Sequence, residues 1–194
     1  MNVATAKERL LETGLELIHE RGYHATGIQD ILATAEVPRG SFYHYFPGKE
    51  AFCLAVIDRY AERGYHRLDS CLSAQGYSPL QRARRFFDET RALYAAGECR
   101  RGCLLGNLGQ ELADVSEVCR RRVNRHLESW TVRLAQCLRE AQDAGELAGD
   151  IDANDYAAVL LNSWEGALLR MKLVRSVEPL DAFTRLYFDS VLKP

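Results

Sequence analysis

The chain has no long uninterrupted hydrophobic run. Its longest purely aliphatic stretch is AAVLL, residues 157–161, whereas a membrane-spanning helix needs about 20 apolar residues in a row. The N-terminal stretch MNVATAKERLLETGLELIHERG mixes charges into every turn and has no apolar core or small-residue cleavage site of a signal peptide. We therefore expect a cytoplasmic protein that does not engage a membrane.

The chain also lacks a net positive charge. The net charge is −2, and the first fifty residues hold five Lys or Arg against seven Asp or Glu. A broadly basic surface that binds any polyanion is therefore not expected. Contact with nucleic acid must come from a local patch.

The six cysteines include no C-x-x-C pair. In a cytoplasmic protein they are expected to be reduced thiols that pack as small hydrophobic side chains. A metal site built from Cys99, Cys103, Cys119 and His126 is an alternative, but their spacing fits no zinc template. We expect neither a metal nor a cofactor.

What the sequence does contain is helical periodicity. Apolar residues make up 47% of the chain, and they recur at helical spacing with no convincing strand. Ser78-Pro79 and Asp152 are typical helix starts, and Gly22 is a typical helix end. The fold class is therefore all-α. Three short helices precede about six longer ones, which predicts domains at 1–48 and 49–194.

The first fifty residues predict a helix-turn-helix unit. Thr26 is a candidate N-cap, with Gln29 three residues later as in a capping box. Pro38 is expected in the first position of a third short helix, and Lys49 opens a fourth. The second helix of such a unit lies in the major groove of DNA.

The segment VPRGSFYHYFPGK, residues 37–49, packs rings into a short polar stretch. Phe42 and Phe46, four apart, can face the core, because so short a helix cannot bury every face. The remaining side chains then face DNA, with Lys49 and the N-terminus after Thr26 at phosphates. The predicted contacts are Thr26, Arg39, Ser41, Tyr43, His44, Tyr45 and Lys49.

The stretch TGIQDILATAEVPRGSFYHYFPGKEAF, residues 26–52, resembles the DNA-binding signature of the TetR-type one-component repressors. The resemblance adds Gly40 to the DNA-binding positions. It implies a homodimer of about nine helices per chain, with an N-terminal helix-turn-helix domain, a larger effector-binding and dimerisation domain, and a palindromic operator. One departure is Glu36, where the family has Gly. If residue 36 has a positive φ, Glu there costs roughly 1 kcal/mol relative to Gly.

The stretch DYAAVLLNSWEGALLRMKLV, residues 155–174, is apolar in nearly every direction, and the last helix has a similar surplus. A helix of this kind must be covered on all sides. We expect a four-helix interface with a second copy, as the resemblance also implies; the alternative is that both helices are simply central. The predicted interface residues are Leu160, Trp164, Leu168, Phe183 and Tyr187.

The stretch ECRRGCLLGNLGQELAD, residues 98–114, resembles a narrower branch of the family, the N-ethylmaleimide-responsive and acrylate-responsive regulators. Cys103 falls on the position of the reactive cysteine in the electrophile-sensing members. A place in the first turn of a helix, with Arg100 and Arg101 beside it, would favour the thiolate. The alternative is a buried, inert thiol. Cys99, four residues earlier, leaves a Cys99–Cys103 disulfide open.

The sequence also offers candidates for an effector pocket. Arg120 and Arg121, in the basic run CRRRVNRH, are candidates for binding a carboxylate, and Tyr94 and Trp130 are candidates for lining the pocket. Basic runs are more often solvated helix faces, and aromatic residues at helical spacing are more often core.

The sequence therefore predicts a dimeric repressor that leaves its operator when Cys103 reacts with an electrophile or oxidant. The alternative is a repressor that senses a small molecule noncovalently, possibly a carboxylate. A cysteine-dependent enzyme is the remaining class, but no histidine lies near Cys103 in sequence and no catalytic signature surrounds it.

Overall fold

A computed structural model describes residues 5–192 of the chain. That range is all-α, as the sequence predicts, with nine α-helices and no strand. No helix within it combines the length and apolar character that a membrane span requires. The helices are α1 (Ala6–Arg21), α2 (Ile28–Ala35), α3 (Arg39–Tyr45), α4 (Lys49–Leu72), α5 (Pro79–Ala96), α6 (Leu104–Leu112), α7 (Glu117–Asp143), α8 (Ala153–Val174) and α9 (Glu178–Leu186). A π-helical turn, Tyr187–Val191, follows α9.

Most helix ends lie where the local chemistry predicts them. Ser78 caps α5 and Pro79 begins it, while Asp152 caps α8. These side-chain oxygens accept hydrogen bonds from N–H groups that the first helical turn leaves unpaired. Gly22 ends α1 with φ +89°, a conformation that glycine adopts without a side-chain clash. α4 begins at Lys49, as predicted.

The predicted cap of α2 is wrong. The helix follows Gly27, whose N–H donates to Oδ2 of Asp30 at 2.9 Å. Thr26 is fully buried, and its hydroxyl donates to the carbonyl oxygens of Gly22 at 2.7 Å and Leu17 at 3.3 Å. Its side chain therefore ties the end of α1 to the start of α2.

Two helix starts differ from the prediction, which placed Cys103 in the first turn of a helix and Pro38 in the first position of one. α6 begins at Leu104. Before it, Glu98 and Cys99 both have left-handed backbones, with φ of 54° and 55°, that no α-helix accommodates. Pro38 precedes α3 as its cap. α9 ends at Leu186, where the π-helical turn takes over.

The described chain divides into two compact units. The first contains the described residues up to Arg63 together with Leu104–Arg125. The second contains Gly64–Cys103 together with the described residues from His126 onward. The first unit thus extends past residue 48 into α4, and the domain boundary at residue 48 stays a prediction.

The first unit packs the three short helices together and onto the start of α4. Phe42 of α3 lies 5.3 Å from Phe52 of α4 and 5.6 Å from Phe46 between ring centroids. Gly14 of α1 lets the Phe52 ring approach closely, since an added Cβ would lie 2.2 Å from its Cζ atom. This ring cluster holds α3 in a fixed orientation.

In the second unit, α8 packs on α9, and α5 also contacts α9. The Trp164 ring lies 5.0 Å from Phe87 and 5.1 Å from Phe183. Five residues were predicted at a dimer interface, and the chain itself already encloses four of them. Leu160, Trp164, Leu168 and Phe183 are at most 6% exposed, while Tyr187 is partly buried.

The exposed face of α8 is a different set of residues. Val159 is 54% exposed, Leu169 46% and Leu173 65%, with the exposed Gly166 between them. On α9, Leu186 is 55% exposed. We call these five residues the apolar stripe. The five residues predicted at the dimer interface stay a prediction. The apolar stripe is the part of these helices that a single chain leaves uncovered.

Candidate nucleic-acid interface and thiol site

One side of α3 is buried. Phe42 is 0% exposed and Phe46, at its end, is 4% exposed. Both rings lie in the cluster with Phe52, as the spacing of four residues predicts. Burial of these two rings fixes which way the rest of α3 points.

The other side of α3 is open. Tyr43 is 46% exposed and Tyr45 38%, the Arg39 guanidinium lies 5.7 Å from the Tyr43 ring, and His44 is exposed. Gly40 is also exposed, and a Cβ added there would meet nothing within 4 Å. We call these five residues the recognition face. Its donors and rings suit phosphates, sugars and base edges.

Ser41 and Lys49 lie at the edges of the recognition face and are partly buried. The Lys49 ammonium lies 4.3 Å from the centroid of the Tyr23 ring. That cation–π contact pre-positions the charge at the start of α4. The hydroxyl of Thr26, predicted to contact a phosphate, is enclosed and is not available.

The turn between α2 and α3 contains the residue that departs from the family pattern. Glu36 has φ 52° and ψ 46°, the left-handed conformation. Its N–H donates to the carbonyl oxygen of Leu32. This hydrogen bond closes the C-terminal end of α2. Val37 beside Glu36 is 5% exposed, and its N–H donates to the carbonyl oxygen of Leu32 at 3.2 Å, so the turn is held on its buried side.

Cys103 lies one residue before α6, in the second unit, and is 4% exposed. Its thiol donates a hydrogen bond to the carboxylate of Glu165 on α8. Burial raises the pKa of the Glu165 carboxyl to about 7, and the bond from Cys103 lowers it in part. The carboxyl group is therefore poised to exchange a proton near neutral pH.

The predicted neighbours of Cys103 are arranged differently. Arg100 is exposed and its Nε donates to Glu98 at 2.8 Å, and Arg101 is also exposed. Cys99 is 6% exposed, and its N–H donates to the carbonyl oxygen of Tyr94 at 3.0 Å. Every cysteine in residues 5–192 is a free thiol, so the open Cys99–Cys103 disulfide is not formed.

The predicted effector residues do not all turn towards an enclosed site. Arg120 and Arg121, in the first unit, donate to the exposed Glu117 at 2.6–2.7 Å, as on a solvated helix face. Trp130, in the second unit, is 8% exposed and packs against Gly64, where an added Cβ would lie 2.4 Å from the ring.

Trp130 still carries an unusual group. Its indole Nε1–H is buried, and no acceptor for it is found among residues 5–192. A buried donor without a partner costs about 1–3 kcal/mol. Tyr94 is only partly buried. Within the same described range, no group of three or more His, Cys, Asp or Glu side chains is arranged to hold a metal ion.

Two features of the structure were not predicted from the sequence. Glu165 is the one carboxylate in the run NSWEGALL, and a charge in such an apolar helix is a usable signal. The second is Glu111 of α6, in the first unit. Its carboxylate accepts the N–H groups of Tyr23 at 2.8 Å and His24 at 2.7 Å. Nothing in the local sequence indicates this contact, since it joins residues far apart in the chain.

The ordered core beneath α3, the open recognition face and the tight turn at Glu36 define a helix-turn-helix DNA-binding regulator. The model of the bacterial regulatory proteins of the tetR family matches residues 10–56, and that of the tetracyclin repressor-like C-terminal domain matches residues 79–187. The chain belongs to the TetR family.

Individual relatives cover almost the whole chain. It is 41% identical to the transcriptional regulator AcuR of Cereibacter sphaeroides, over 96% of this chain and 85% of the relative. It is 36% identical to the transcriptional repressor DhaR of Mycobacterium sp. (strain GP1), over 96% and 92%. The crystal structure of the reduced form of Escherichia coli NemR superposes with a TM-score of 0.87, at 31% identity and 98% coverage of both chains.

Proposed function

We propose that this protein is a cytoplasmic, dimeric transcriptional repressor that leaves its operator when Cys103 is modified. The observation that carries the DNA-binding part is the recognition face. Tyr43, His44 and Tyr45 are left exposed by a helix whose phenylalanines are buried. The repressor assignment draws on the relatives DhaR and NemR, which are both named as transcriptional repressors.

Gly40 supports DNA binding by a separate argument. A glycine inside a helix costs about 0.8–1.0 kcal/mol relative to alanine. The space around it is open, so packing within the chain gives no reason for it. Close approach of a DNA backbone provides one, because a Cβ would stand between α3 and the duplex.

Dimerisation is proposed through the apolar stripe. Its three α8 side chains and Leu186 are each 46–65% exposed, and Gly166 permits close helix approach. A second copy that covers the stripe forms a two-fold interface. Two recognition faces about 34–36 Å apart then fit successive major grooves of a palindromic operator.

Sensing is proposed to use the Cys103–Glu165 pair. The thiol sulfur attacks the electron-poor alkene carbon of an electrophile such as N-ethylmaleimide, and its proton passes to the Glu165 carboxylate. That proton then adds to the neighbouring carbon, so the net change is addition of S–H across the double bond. A base with a pKa near 7 suits this transfer.

The adduct is proposed to act through the volume that it adds at the buried Cys103. Cys103 is 4% exposed, and overpacking a buried site typically costs about 1–3 kcal/mol. A cost of 1.4 kcal/mol changes a two-state balance tenfold. α6 begins one residue after Cys103 and carries Glu111, which binds the N–H groups of the α1–α2 turn. We propose that α6 transmits the change to the DNA-binding helices.

A second candidate is a repressor that binds a small acceptor, such as a carboxylate, without covalent chemistry. The observation that favours it is the unpartnered N–H of Trp130. In this alternative, the ligand supplies the missing hydrogen bond and Cys103 is inert.

One experiment separates these candidates. A palindrome upstream of the gene or its neighbours serves as a fluorescent operator, and equimolar N-ethylmaleimide is added while anisotropy and labelling are followed. Cys103 should be labelled first, and labelling should track release from DNA. Cys103→Ser should bind DNA and ignore the reagent. Cys137→Ser is the matched control, since burial raises the pKa of that thiol to about 11 and it should react slowly.

If Cys103→Ser is released as readily as the wild type, covalent sensing is wrong and the noncovalent candidate replaces it. Repeated turnover of the electrophile, with one protein molecule consuming many, would instead indicate an enzyme. A sensor reacts once.

A further inference from the structure

A second pair of thiols lies in the first unit, away from the site already described. Cys53 of α4 and Cys119 of α7 hydrogen-bond to each other through their side chains. They are 0% and 1% exposed. Two thiols that share a hydrogen bond are already close to the separation at which a disulfide forms, although they are distant in sequence.

The neighbouring contacts fix this pair. Ser116 accepts the N–H of Cys119 at 3.2 Å and donates its hydroxyl to Oε1 of Glu50 at 2.7 Å. An ion pair between Arg122 and Asp58 lies further along the same two helices. α4 and α7 are therefore held together on both sides of the thiols.

The two thiols are not equivalent. The hydrogen bond from Cys53 lowers the pKa of Cys119, against the opposing effect of burial. The same contact, together with burial, raises the pKa of Cys53. Cys119 also lies in the first turn of α7, where the helix dipole favours an anion. Cys119 is therefore the nucleophile of the pair, and Cys53 is the proton donor.

We propose that Cys53 and Cys119 are a dithiol modification site that hydrogen peroxide converts to a disulfide between α4 and α7. The Cys119 sulfur attacks one peroxide oxygen, the O–O bond breaks, and a sulfenic acid and one water form. The Cys53 sulfur then attacks the Cys119 sulfur and displaces the hydroxyl as a second water. Two thiols and one peroxide give one disulfide and two waters. Because both thiols are buried, the proposal requires that peroxide, a small oxidant, reach them when the first turn of α7 opens transiently.

The disulfide should weaken operator binding. It shortens the sulfur–sulfur separation to about 2.05 Å, so α4 and α7 must move from their reduced positions. α4 begins four residues after the end of α3, and a shift at its start turns the recognition face. We expect at least a tenfold loss of operator affinity, reversed by dithiothreitol. This consequence rests on the proposed DNA binding, whereas the disulfide itself does not.

The test uses the full chain with Cys103→Ser, so that the proposed sensor cysteine cannot contribute. After treatment with hydrogen peroxide and alkylation of remaining thiols, a non-reducing digest should contain a peptide that links Cys53 to Cys119. Cys53→Ala and Cys119→Ala should bind the operator before treatment and keep that affinity afterwards. Cys71→Ala, a change at another buried thiol, should respond like its parent.

Absence of the linked peptide under conditions where other thiols are oxidised would overturn the site. The linked peptide without a fall in operator affinity would overturn its effect on DNA binding. Because the peptide is detected without DNA, failure of this site and failure of the proposed repressor function give different results.

Discussion

The thiol of Cys103 donates a hydrogen bond to the carboxylate of Glu165, on a helix that is otherwise apolar on most sides. The carboxyl is half-buried, and burial is the main reason that its pKa rises from 4.5 to about 7. Glu165, rather than Arg100 or Arg101, is therefore the ionisable group that lies against the Cys103 thiol.

The first prediction concerns pH. Below about pH 4.5 the Glu165 carboxyl is protonated in both the folded and unfolded states. As the pH rises from there through 7, the unfolded state loses the proton first, so the raised pKa removes stability over this window. The free energy of unfolding of Glu165→Gln should therefore rise relative to that of the wild type by about 1–3 kcal/mol as the pH increases from 5 to 8. An equal difference in unfolding free energy between the two proteins at pH 5 and at pH 8 would contradict the assignment.

The second prediction concerns the turn. Glu36 has a left-handed backbone with φ 52°. This is the conformation in which Glu was expected to cost stability relative to Gly. Glu36→Gly should stabilise the protein by several tenths to about 1 kcal/mol, since glycine has no Cβ to clash there. The matched control is Ala33→Gly, inside α2, which should cost about 1 kcal/mol. Urea unfolding measures both, and a loss of stability in Glu36→Gly would mean that the turn is built differently.

The third prediction concerns Gly40. Gly40→Ala should raise stability by up to about 1 kcal/mol, because helix propensity improves and the added Cβ meets open space. The same change should weaken operator binding if DNA approaches the backbone at this point. Unfolding and anisotropy titrations on one preparation test both effects. A variant that is more stable and binds DNA normally would remove Gly40 from the interface.

The fourth prediction concerns assembly. Leu173→Glu, in the apolar stripe, should give a folded monomer by sedimentation, because a charge enters the apolar interface. Val132→Glu is the control, since Val132 is 60% exposed on α7 and should leave the dimer intact. Trp164→Glu should unfold the protein instead, as Trp164 is 3% exposed within its own core. A wild-type monomer at micromolar concentration would exclude the proposed interface.

The sequence predicts most of the fold because local chemistry decides it. The helical period alone distinguishes the buried Phe42 and Phe46 from the exposed Tyr43 and Tyr45. The start of α5 follows from Ser78 and Pro79. The cap of α2 was mispredicted for a physical reason. Thr26 has the right side chain, but its buried hydroxyl bonds to main-chain carbonyl groups nearby, and that tertiary context overrides capping preference.

Contacts between distant segments are what the sequence does not give. The partner of Cys103 proved to be Glu165, and that of Cys119 proved to be Cys53. No local pattern links the members of either pair. The sequence likewise cannot tell which side of α8 the chain covers by itself, because Trp164 and its neighbours are as apolar as the stripe and only packing distinguishes them.

The measurement that tests the account most directly is operator binding by the Tyr43→Ala, Lys49→Ala double variant across a range of salt concentrations. Both side chains lie at or beside the recognition face. The Tyr43 ring touches Phe42 at its exposed edge, 5.4 Å between centroids, but neither residue is one of the three buried rings that hold α3. The account predicts a folded dimer with weaker operator binding and a salt slope lower by about 1, from the lost phosphate contact of Lys49. A folded double variant with wild-type affinity and slope would contradict it.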